Sequence, residues 1–279
     1  MMISVVIPAC ERPSSLAECI SRLADAEEIV VSDDSRSDEI RELIARRFPL
    51  VKWVRGPRRG PAANRNCGAR QANGDWIAFI DDDCVPGVDW LKSMRRAAFD
   101  SAIVEGRTIC PNRTYHPFEE VVENLAGGLL WSCNFGIRRD LFLQLGGFDE
   151  DFPEAGGEDL EFAWRVKQNG MCVHFAPEAV VYHSARRLSL KKCIYRVFQS
   201  KWHLLYRLKI THLRCATYHE ILDLLRVTKR TVFGWKQDSP LFVRLVLQWI
   251  LLPVLLPYLI YWEIRFRRDL SKPNASSHK

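Results

Sequence analysis

The chain has 279 residues, of which 47% are hydrophobic and 27% are charged. This length and composition exclude a disordered protein and a small disulfide-stapled domain, and they predict a globular protein of one or two domains. The formal charge of +6 conceals a division, because residues 1–183 carry 21 Lys and Arg against 29 Asp and Glu, a net charge of −8. Residues 184–279 carry 19 against 5, a net charge of +14. Such an asymmetry predicts that the two segments face different partners.

The nine cysteines include no Cys-x-x-Cys pair. This pattern favours free thiols over a zinc site or a disulfide framework. The apolar stretch at the N-terminus is too short for a signal peptide and lacks its basic segment, so we expect the catalytic part to work in a reducing cytoplasm.

Short apolar runs alternate with helix-like segments through the first hundred residues, which predicts a parallel sheet covered by helices on both faces. The runs are continuous, as in strands buried on both sides. We predict strands over residues 3–7, 28–31, 51–54 and 76–80. Between them, Ser15 and Glu18 have the spacing of a helix capping box, and residues 61–73 predict a helix that ends before Gly74.

Polar residues follow three of these strands, and ligands of open parallel sheets bind at the carboxyl ends of the strands. Residues 8–12 follow the first strand, residues 32–35 the second, and the acidic triplet Asp81, Asp82 and Asp83 the fourth. A run of acids is often a solvated turn. However, adjacent carboxylates repel unless they are screened, and carboxylate oxygens are ligands that Mg²⁺ and Mn²⁺ prefer. A cation between Asp83 and a diphosphate therefore fits this run.

Four segments occur in the order Ile-Pro-Ala-Cys-Glu-Arg at 7–12, Val-Val-Ser-Asp-Asp-Ser at 30–35, Gly-Pro-Ala-Ala-Asn-Arg-Asn-Cys-Gly-Ala-Arg at 60–70, and Gly-Asp-Trp-Ile-Ala-Phe-Ile-Asp-Asp-Asp at 74–83. Together they resemble the nucleotide-sugar half of the family 2 glycosyltransferases with the GT-A fold. Asn-Phe-Gly-Ile-Arg-Arg at 134–139, Gly-Gly-Phe-Asp at 146–149 and Gly-Glu-Asp-Leu-Glu-Phe-Ala-Trp-Arg at 157–165 resemble the family's acceptor half. The resemblance implies a Rossmann-like α/β fold with a mainly parallel sheet flanked by helices.

The resemblance also implies which residues contact the nucleotide sugar: Pro8, Ala9, Glu11, Asp33, Asp34, Arg65, Asp81 and Asp82. Among them, Asp34 would contact the nucleobase. The simpler alternative for Asp33 and Asp34 is that they cap the next helix and form Asx turns, and for Arg65 that it lies on the surface.

For the chemistry, the resemblance implies a divalent cation, manganese or magnesium, bound by Asp83 and His183. Asp159 would be the general base of an inverting transfer, and Trp131, Asn134 and Glu158 would contact the acceptor. The alternatives are that Glu158 and Asp159 only complement a helix dipole and that His183 is structural.

Basic and apolar side chains interleave between residues 186 and 201, which predicts amphipathic helices with a cationic face. Residues 245–262 form an apolar stretch interrupted by Pro253 and Pro257 and flanked by arginines. It is near the lower length limit for a spanning helix, so it could span a membrane, lie on it or pack on the domain. Its aromatic residues and flanking cations favour an anionic membrane surface, and no nucleic-acid-binding motif accompanies the charge.

We therefore predict a glycosyltransferase domain over residues 1–183, with a nucleotide-sugar half at 1–100 and an acceptor half at 101–183. A basic, helical, membrane-associated region follows at 184–279. The expected acceptor is a hydroxyl group, which the tail would suit as part of a lipid-linked saccharide. The expected place is the inner face of the cell membrane, in envelope or exopolysaccharide synthesis.

Two alternatives remain open at this point. Residues 81–85 also satisfy the Asp-x-Asp-x-Val pattern of haloacid-dehalogenase-like phosphatases, with Asp81 as nucleophile and Asp83 as acid/base. In those phosphatases the motif usually follows the first strand of the core, whereas here it follows the fourth predicted strand. The other alternative is a non-catalytic adaptor that binds a nucleotide or a lipid.

Overall fold

The computed structural model describes residues 1–116, 118–211, 215–233 and 239–271. It contains two compact units. Unit 1 consists of residues 1–113 and 121–185, and unit 2 of residues 114–120 and 186–279. Unit 2 is therefore assembled from two separate stretches of the chain.

The strands are β1 (Ile3–Ala9), β2 (Glu28–Asp33), β3 (Lys52–Arg55), β4 (Trp76–Ile80), β5 (Cys84–Pro86), β6 (Ile103–Ile109), β7 (Glu119–Glu120), β8 (Asn134–Arg138), β9 (His174–His183) and β10 (Arg186–Arg187). Eight of them form the sheet of unit 1 in the order β3-β2-β1-β4-β8-β6-β9-β5. Strands β1 to β4 are parallel, and β8 runs antiparallel between β4 and β6. In unit 2, β7 and β10 form an antiparallel pair.

The helices of unit 1 are α1 (Pro13–Ser21), α2 (Glu39–Arg47), α3 (Pro61–Gln71), α4 (Trp90–Ala97), α5 (Arg139–Gln144) and α6 (Glu158–Gln168). Those of unit 2 are α7 (Leu190–Phe198), α8 (Ser200–Thr211), α9 (Ala216–Phe233) and α10 (Ser239–Leu270).

The α/β fold with a mainly parallel sheet is confirmed, and the four predicted strands and the helix after Gly60 are present. The predicted capping box is wrong, because α1 begins at Pro13 and includes both Ser15 and Glu18. Proline has the backbone angle of a first helical turn and lacks an N–H that would go unbonded there, so the helix starts earlier than a serine cap would allow.

The sheet has an apolar layer on each face, because successive side chains of its buried strands point to opposite sides. Val5 and Ile7 of β1 belong to one layer and Val6 to the other. In the second layer, Phe79 of β4 stacks on Phe135 of β8 with ring centroids 5.1 Å apart. This aromatic layer also includes Phe142, Phe148 and Phe162, and Phe162 lies on α6. It therefore fixes α6 against the sheet.

In unit 2, α10 packs against α7, α8 and α9. Glu263 of α10 is buried, and its carboxylate accepts hydrogen bonds from the backbone N–H groups of Ala216 and Thr217 at the start of α9. The carboxylate satisfies donors that would otherwise lack a partner at a helix N-terminus.

A buried carboxylate on β6 organises a loop of unit 1. Glu105 accepts hydrogen bonds from the side chain of Asn124 and from the backbone N–H groups of Gly128, Leu129 and Leu130. The loop from 124 to 130 is thus held by one side chain.

We expect Glu105→Gln to lower the free energy of unfolding by about 3 kcal/mol, because an amide leaves several buried donors without an acceptor. Urea denaturation measures this change. The control is Glu178→Gln, at a side chain that is 61% exposed and makes only a surface ion pair with Arg96, where we expect a change within about 0.5 kcal/mol. Equal effects in the two variants would contradict the role of Glu105.

Candidate active site

The carboxyl ends of β1, β2 and β4 meet at one edge of the sheet, as the topology requires. Ala9 lies opposite Asp33 in the register of β1 and β2, and the N–H of Asp34 donates to the carbonyl of Ala9 over 2.9 Å. Pro8 and Ala9 are buried. This edge therefore collects the residues that sequence analysis assigned to nucleotide binding.

Asp33 and Asp34 have different surroundings. Buried Asp33 accepts hydrogen bonds from the N–H of Ser35 at 2.9 Å and from the indole of Trp53 at 3.0 Å, so its carboxylate shapes the turn. Half-buried Asp34 accepts from the N–H of Arg58 at 2.8 Å, and burial raises its pKa. A side chain at Gly56 would place its Cβ 2.2 Å from Asp34 Oδ1, so glycine leaves room for this carboxylate.

Glu11 also lies at this edge, in the left-handed region with φ of 56°. Its N–H donates to the hydroxyl of Ser35 at 2.8 Å, and its exposed carboxylate accepts from the N–H of Arg36 at 2.7 Å. These two contacts fix the conformation of the loop that follows β1.

Three consecutive side chains of α3 reach three different parts of unit 1. Asn64 donates to the carbonyl of Ala9 at 3.3 Å, and Arg65 contacts the site carboxylates. The Asn66 amide donates to the carbonyl of Phe148 and accepts from its N–H, each at 2.8 Å. Successive residues of a helix point about 100° apart, so one turn of α3 joins the end of β1, the acidic triplet and the loop before α6.

Arg65 is buried and bridges the two halves of the site. Its Nη2 lies 2.8 Å from Asp81 Oδ1 and its Nη1 lies 3.5 Å from Glu158 Oε1. Desolvation opposes the charge of Arg65, but the carboxylates of Asp81, Asp159 and Glu158 outweigh it and raise the pKa of the guanidinium. Burial also opposes the charge of Asp81, yet Arg65 holds the pKa of that carboxyl below its ordinary value.

The structure brings Asp83 and His183 together. Asp83 follows β4, and His183 ends β9, where it pairs with Cys84 of β5. Asp83 Oδ1 lies 3.7 Å from His183 Nε2, and Cys84 Sγ lies within 4.8 Å of both. Burial raises the pKa of the Cys84 thiol above its ordinary value, which is already basic, so this thiol stays protonated.

The residues fit a divalent cation with oxygen and nitrogen ligands. Carboxylate oxygen and imidazole nitrogen atoms at this separation can share one ion with bonds of about 2.1 Å. Neighbouring Asp82 is buried and accepts from the N–H of Cys10 at 3.0 Å. Burial raises the pKa of Asp82 to about 6. Its carboxyl is anchored by the N–H of Cys10 and by Arg12.

Asp159 lies in the first turn of α6 and is half-buried. Burial and the adjacent Glu158 raise its pKa to about 7, against the opposite effects of Arg65 and of a hydrogen bond from the Ser132 hydroxyl. A carboxyl with a pKa near neutrality is suited to accept a proton as a general base. Glu158 itself accepts from the N–H of Gly156 at 2.7 Å and faces Arg65.

The two remaining acceptor candidates differ in accessibility. Trp131 is half-buried, but Asn134 is buried and its amide is fully engaged. It accepts from the indole of Trp90 at 2.8 Å and donates to the carbonyls of Arg107 and Ala179 at 2.9 and 3.1 Å. Asn134 therefore ties strands together, and its role as an acceptor contact stays a prediction.

Sequence reasoning missed two residues of the site. Arg12 forms ion pairs with Asp82 and Asp83, and Ser132 lowers the pKa of Asp159. The position of Arg12 at the end of the first strand-end motif, residues 7–12, was a usable signal. Ser132 offered none, because its role depends on a contact with α6, far along the chain.

We expect Asp159→Asn to be more stable than the unsubstituted protein at pH 8, and the two to converge near pH 4. The raised pKa of Asp159 means that its favourable contribution is complete below its unfolded pKa of about 4 and is lost as pH rises through about 7. Urea denaturation across this pH range tests the expectation. Parallel stability profiles for the two proteins would contradict it.

Two family models match consecutive parts of the chain. A model of glycosyl transferase family 2 matches residues 4–118, and a model described as the N-terminal domain of galactosyltransferase matches residues 113–187. The pre-mycofactocin glycosyltransferase of Mycobacterium tuberculosis is 26% identical over 205 residues, covering 66% of this chain and 43% of the relative. The chain spans about half the length, or less, of the first curated relatives that it matches.

Solved structures share the fold. A mannosyltransferase from Pyrobaculum calidifontis, in complex with GDP-Man and Mn²⁺, superposes with a TM-score of 0.58 at 17% identity, covering 96% of this chain and 87% of that chain. GalNAc-T7, with UDP, GalNAc and Mn²⁺, gives a TM-score of 0.54 at 21% identity, covering 74% and 50%. Its sheet order and these structural matches show the GT-A fold, and residues 4–118 match the model of glycosyl transferase family 2.

Proposed function

We propose that this chain is an inverting, metal-dependent glycosyltransferase that moves a sugar from a nucleotide diphosphate to an acceptor hydroxyl. One observation carries the proposal: buried Arg65 joins the acidic triplet after β4 to the first turn of α6, which holds Asp159. Residues 1–183 would perform the transfer, and residues 184–279 would contact the membrane.

The donor would bind at the carboxyl ends of β1, β2 and β4. Pro8, Ala9 and Asp34 border this edge, with Glu11 and Asp33 as its supports. Asp81 is held by Arg65 beside the triplet and suits a contact with the donor's ribose or sugar. In this arrangement neutral backbone would lie next to the base and the acidic triplet next to the diphosphate.

Asp83 and His183 would hold Mn²⁺ or Mg²⁺. The bound cation would act as a Lewis acid and neutralise the charge that develops on the departing nucleoside diphosphate. Mn²⁺ accompanies nucleotide ligands in two proteins of the same fold. The pairing of β5 with β9 fixes His183 beside the triplet, so the ligands are positioned before the donor arrives.

Asp159 would take the proton from the acceptor hydroxyl as its oxygen attacks the anomeric carbon. The hydroxyl oxygen forms the new glycosidic bond while the bond to the diphosphate breaks, which inverts the configuration. General-base assistance of this kind contributes about 10²- to 10⁴-fold to the rate. Ser132 and Arg65 would keep the carboxyl oriented, and Glu158 and Trp131 would contact the acceptor.

The phosphatase alternative is not supported by these contacts. Asp81, which would have to be the nucleophile, is engaged by the Arg65 guanidinium at 2.8 Å. The motif also follows β4, not the first strand of the sheet. A non-catalytic adaptor would not need a carboxyl group whose pKa is raised towards neutrality, as that of Asp159 is.

Thermal unfolding tests the donor site with UDP, GDP, dTDP and CDP, each with and without Mn²⁺. We expect one nucleotide at saturating concentration to raise the melting temperature by about 5 °C in the presence of Mn²⁺, because the ligand binds only the folded protein. Asp83→Ala should lose the Mn²⁺-dependent part of the shift. Asp159→Asn should keep it but lose sugar transfer.

The control for these variants is Asp89→Ala, because the Asp89 side chain is 69% exposed. It should respond like the unsubstituted protein. A full Mn²⁺-dependent shift in Asp83→Ala would contradict the assigned cation ligand. Undiminished transfer by Asp159→Asn would contradict the assigned base.

The C-terminal helix supports the proposed membrane contact. Among the described residues, Leu245–Leu270 is one helical segment long and apolar enough to cross a membrane. Leu255, Leu259, Glu263 and Phe266 of this segment are buried on one helical face. The opposite face exposes an apolar stripe, which we define as Val246, Ile250, Val254, Pro257, Tyr261 and Ile264.

A helix with one face packed on protein and the other apolar and exposed suits a position in the plane of the membrane interface. The stripe is about 27 Å long at 1.5 Å per residue. Because residues 184–279 carry a net charge of +14, an anionic lipid surface matches this segment of the chain. We place it at the inner face of the cell membrane, where a lipid-linked saccharide would be the acceptor.

We expect the intact protein to sediment with vesicles that contain anionic lipid and to bind neutral vesicles more weakly. The double variant Ile250→Ser, Val254→Ser should lose most of this binding, since burial of each aliphatic side chain contributes about 1.5–3 kcal/mol. Leu50→Ser, Val88→Ser is the matched control, because both residues are highly exposed but lie in unit 1. Equal binding by both variants would contradict contact through the stripe.

A further inference from the structure

A guanidinium group occupies a position next to the proposed cation site. Arg12 Nη1 lies 2.7 Å from Asp83 Oδ2, and its Nη2 forms an ion pair with Asp82 Oδ1. The Arg12 side chain is 40% exposed, whereas those of Asp82 and Asp83 are 0% and 13% exposed. The acids are therefore held inside the protein and the positive charge reaches them from the solvent side.

The loop after β1 is built to direct Arg12 towards the triplet. The N–H of Cys10 donates to Asp82, and the N–H of Glu11 donates to the Ser35 hydroxyl. Glu11 has a left-handed backbone, and its carboxylate is turned towards the N–H of Arg36. A non-glycine residue with positive φ costs of order 1 kcal/mol or more, so it persists where its surroundings enforce it.

The two carboxylate oxygens of Asp83 face different neighbours, and each side can accommodate a positive charge. Oδ2 contacts Arg12, and Oδ1 lies 3.7 Å from His183 Nε2. A divalent cation bound by Asp83 and His183 would lie within a few ångströms of the Arg12 guanidinium. Like charges that close repel by several kcal/mol at an effective dielectric constant of about 20, so the cation and the guanidinium compete for the same carboxylate.

We propose that Arg12 is a built-in counterion of the acidic triplet, which holds Asp82 and Asp83 in place until the incoming cation displaces it towards the diphosphate of the donor. The inference rests on the proposed function, because it takes Asp83 and His183 as the cation site. It adds a donor-binding residue, Arg12, that the family resemblance did not supply.

The diphosphate is the natural next partner of Arg12. A guanidinium binds phosphate oxygens through paired hydrogen bonds, and Arg12 already lies at the solvent side of the triplet. When the cation displaces Arg12 from the carboxylates, the guanidinium would regain a charged partner only if a diphosphate is present. Cation and diphosphate would therefore each increase the affinity for the other, as reciprocal linkage requires.

Binding of Mn²⁺ alone, followed by electron paramagnetic resonance, tests the competition without relying on activity. We expect Arg12→Gln to bind Mn²⁺ about tenfold more tightly than the unsubstituted protein, because the competing charge is gone. Inorganic pyrophosphate should increase Mn²⁺ affinity strongly in the unsubstituted protein and much less in Arg12→Gln. The matched control is Arg46→Gln, at a side chain that is 75% exposed, and it should behave like the unsubstituted protein.

Arg12→Lys provides a second variant, because loss of the charge beside buried Asp82 could reduce stability. Lysine keeps one positive charge but cannot contact both acids through a planar fork, so we expect an intermediate Mn²⁺ affinity. Unfolding by urea reports whether each variant is folded under the binding conditions.

Each outcome separates the inference from the function on which it rests. If the unsubstituted protein binds Mn²⁺ and Asp83→Ala does not, the cation site stands. If, in addition, the folded Arg12 variants bind Mn²⁺ no more tightly than the unsubstituted protein, the counterion role is overturned alone. If no variant binds Mn²⁺ with or without pyrophosphate, the cation site and the counterion role are both overturned.

Discussion

The arrangement of the site depends on one buried guanidinium. Arg65 is paired with Asp81 after β4 and faces Glu158 at the start of α6. A buried charge that loses its partner destabilises a protein by about 3–5 kcal/mol, so neither segment can move away without a large penalty. Asn64 and Asn66 bind the flanking segments from the same turn of α3. A single turn of α3 therefore positions both the sheet edge at the ends of β1 and β4 and the segment that holds Asp159.

The same guanidinium helps to explain how two carboxyl groups of the site, Asp81 and Asp159, differ in proton affinity. Asp81 hydrogen-bonds Arg65 directly, and its pKa lies below the ordinary value. The charge of Arg65 also lowers the pKa of Asp159. Burial and the adjacent Glu158 have larger effects in the opposite direction, so the pKa of Asp159 rises. Carboxyl groups with divergent environments can take different roles in one site. Here one remains a fixed anion and the other is poised to exchange a proton near neutral pH.

The sequence predicted the features that depend on local patterns. Strands β1 to β4, helix α3 and the acidic triplet follow from apolar runs, glycine and proline positions and strand-end polarity. Contacts between distant residues were not predictable in this way. The amide of Asn134 is used by carbonyl groups 27 and 45 residues away, and the start of α1 depended on Pro13, not on a serine cap. The two faces of α10 likewise became distinguishable only once α7 to α9 were packed against it.

The short strand β7 has a consequence for how the protein can be divided. Residues 114–120 belong to unit 2, where β7 pairs with β10, yet unit 1 continues on both sides of them in sequence. A chain cut after Ala185 would therefore leave the edge of β7 without its hydrogen-bonding neighbour, and unpaired strand edges promote association between copies. Unit 2 is thus interlaced in sequence with unit 1. Gain or loss of the tail during evolution would require a compensating change in the loop between β6 and β8.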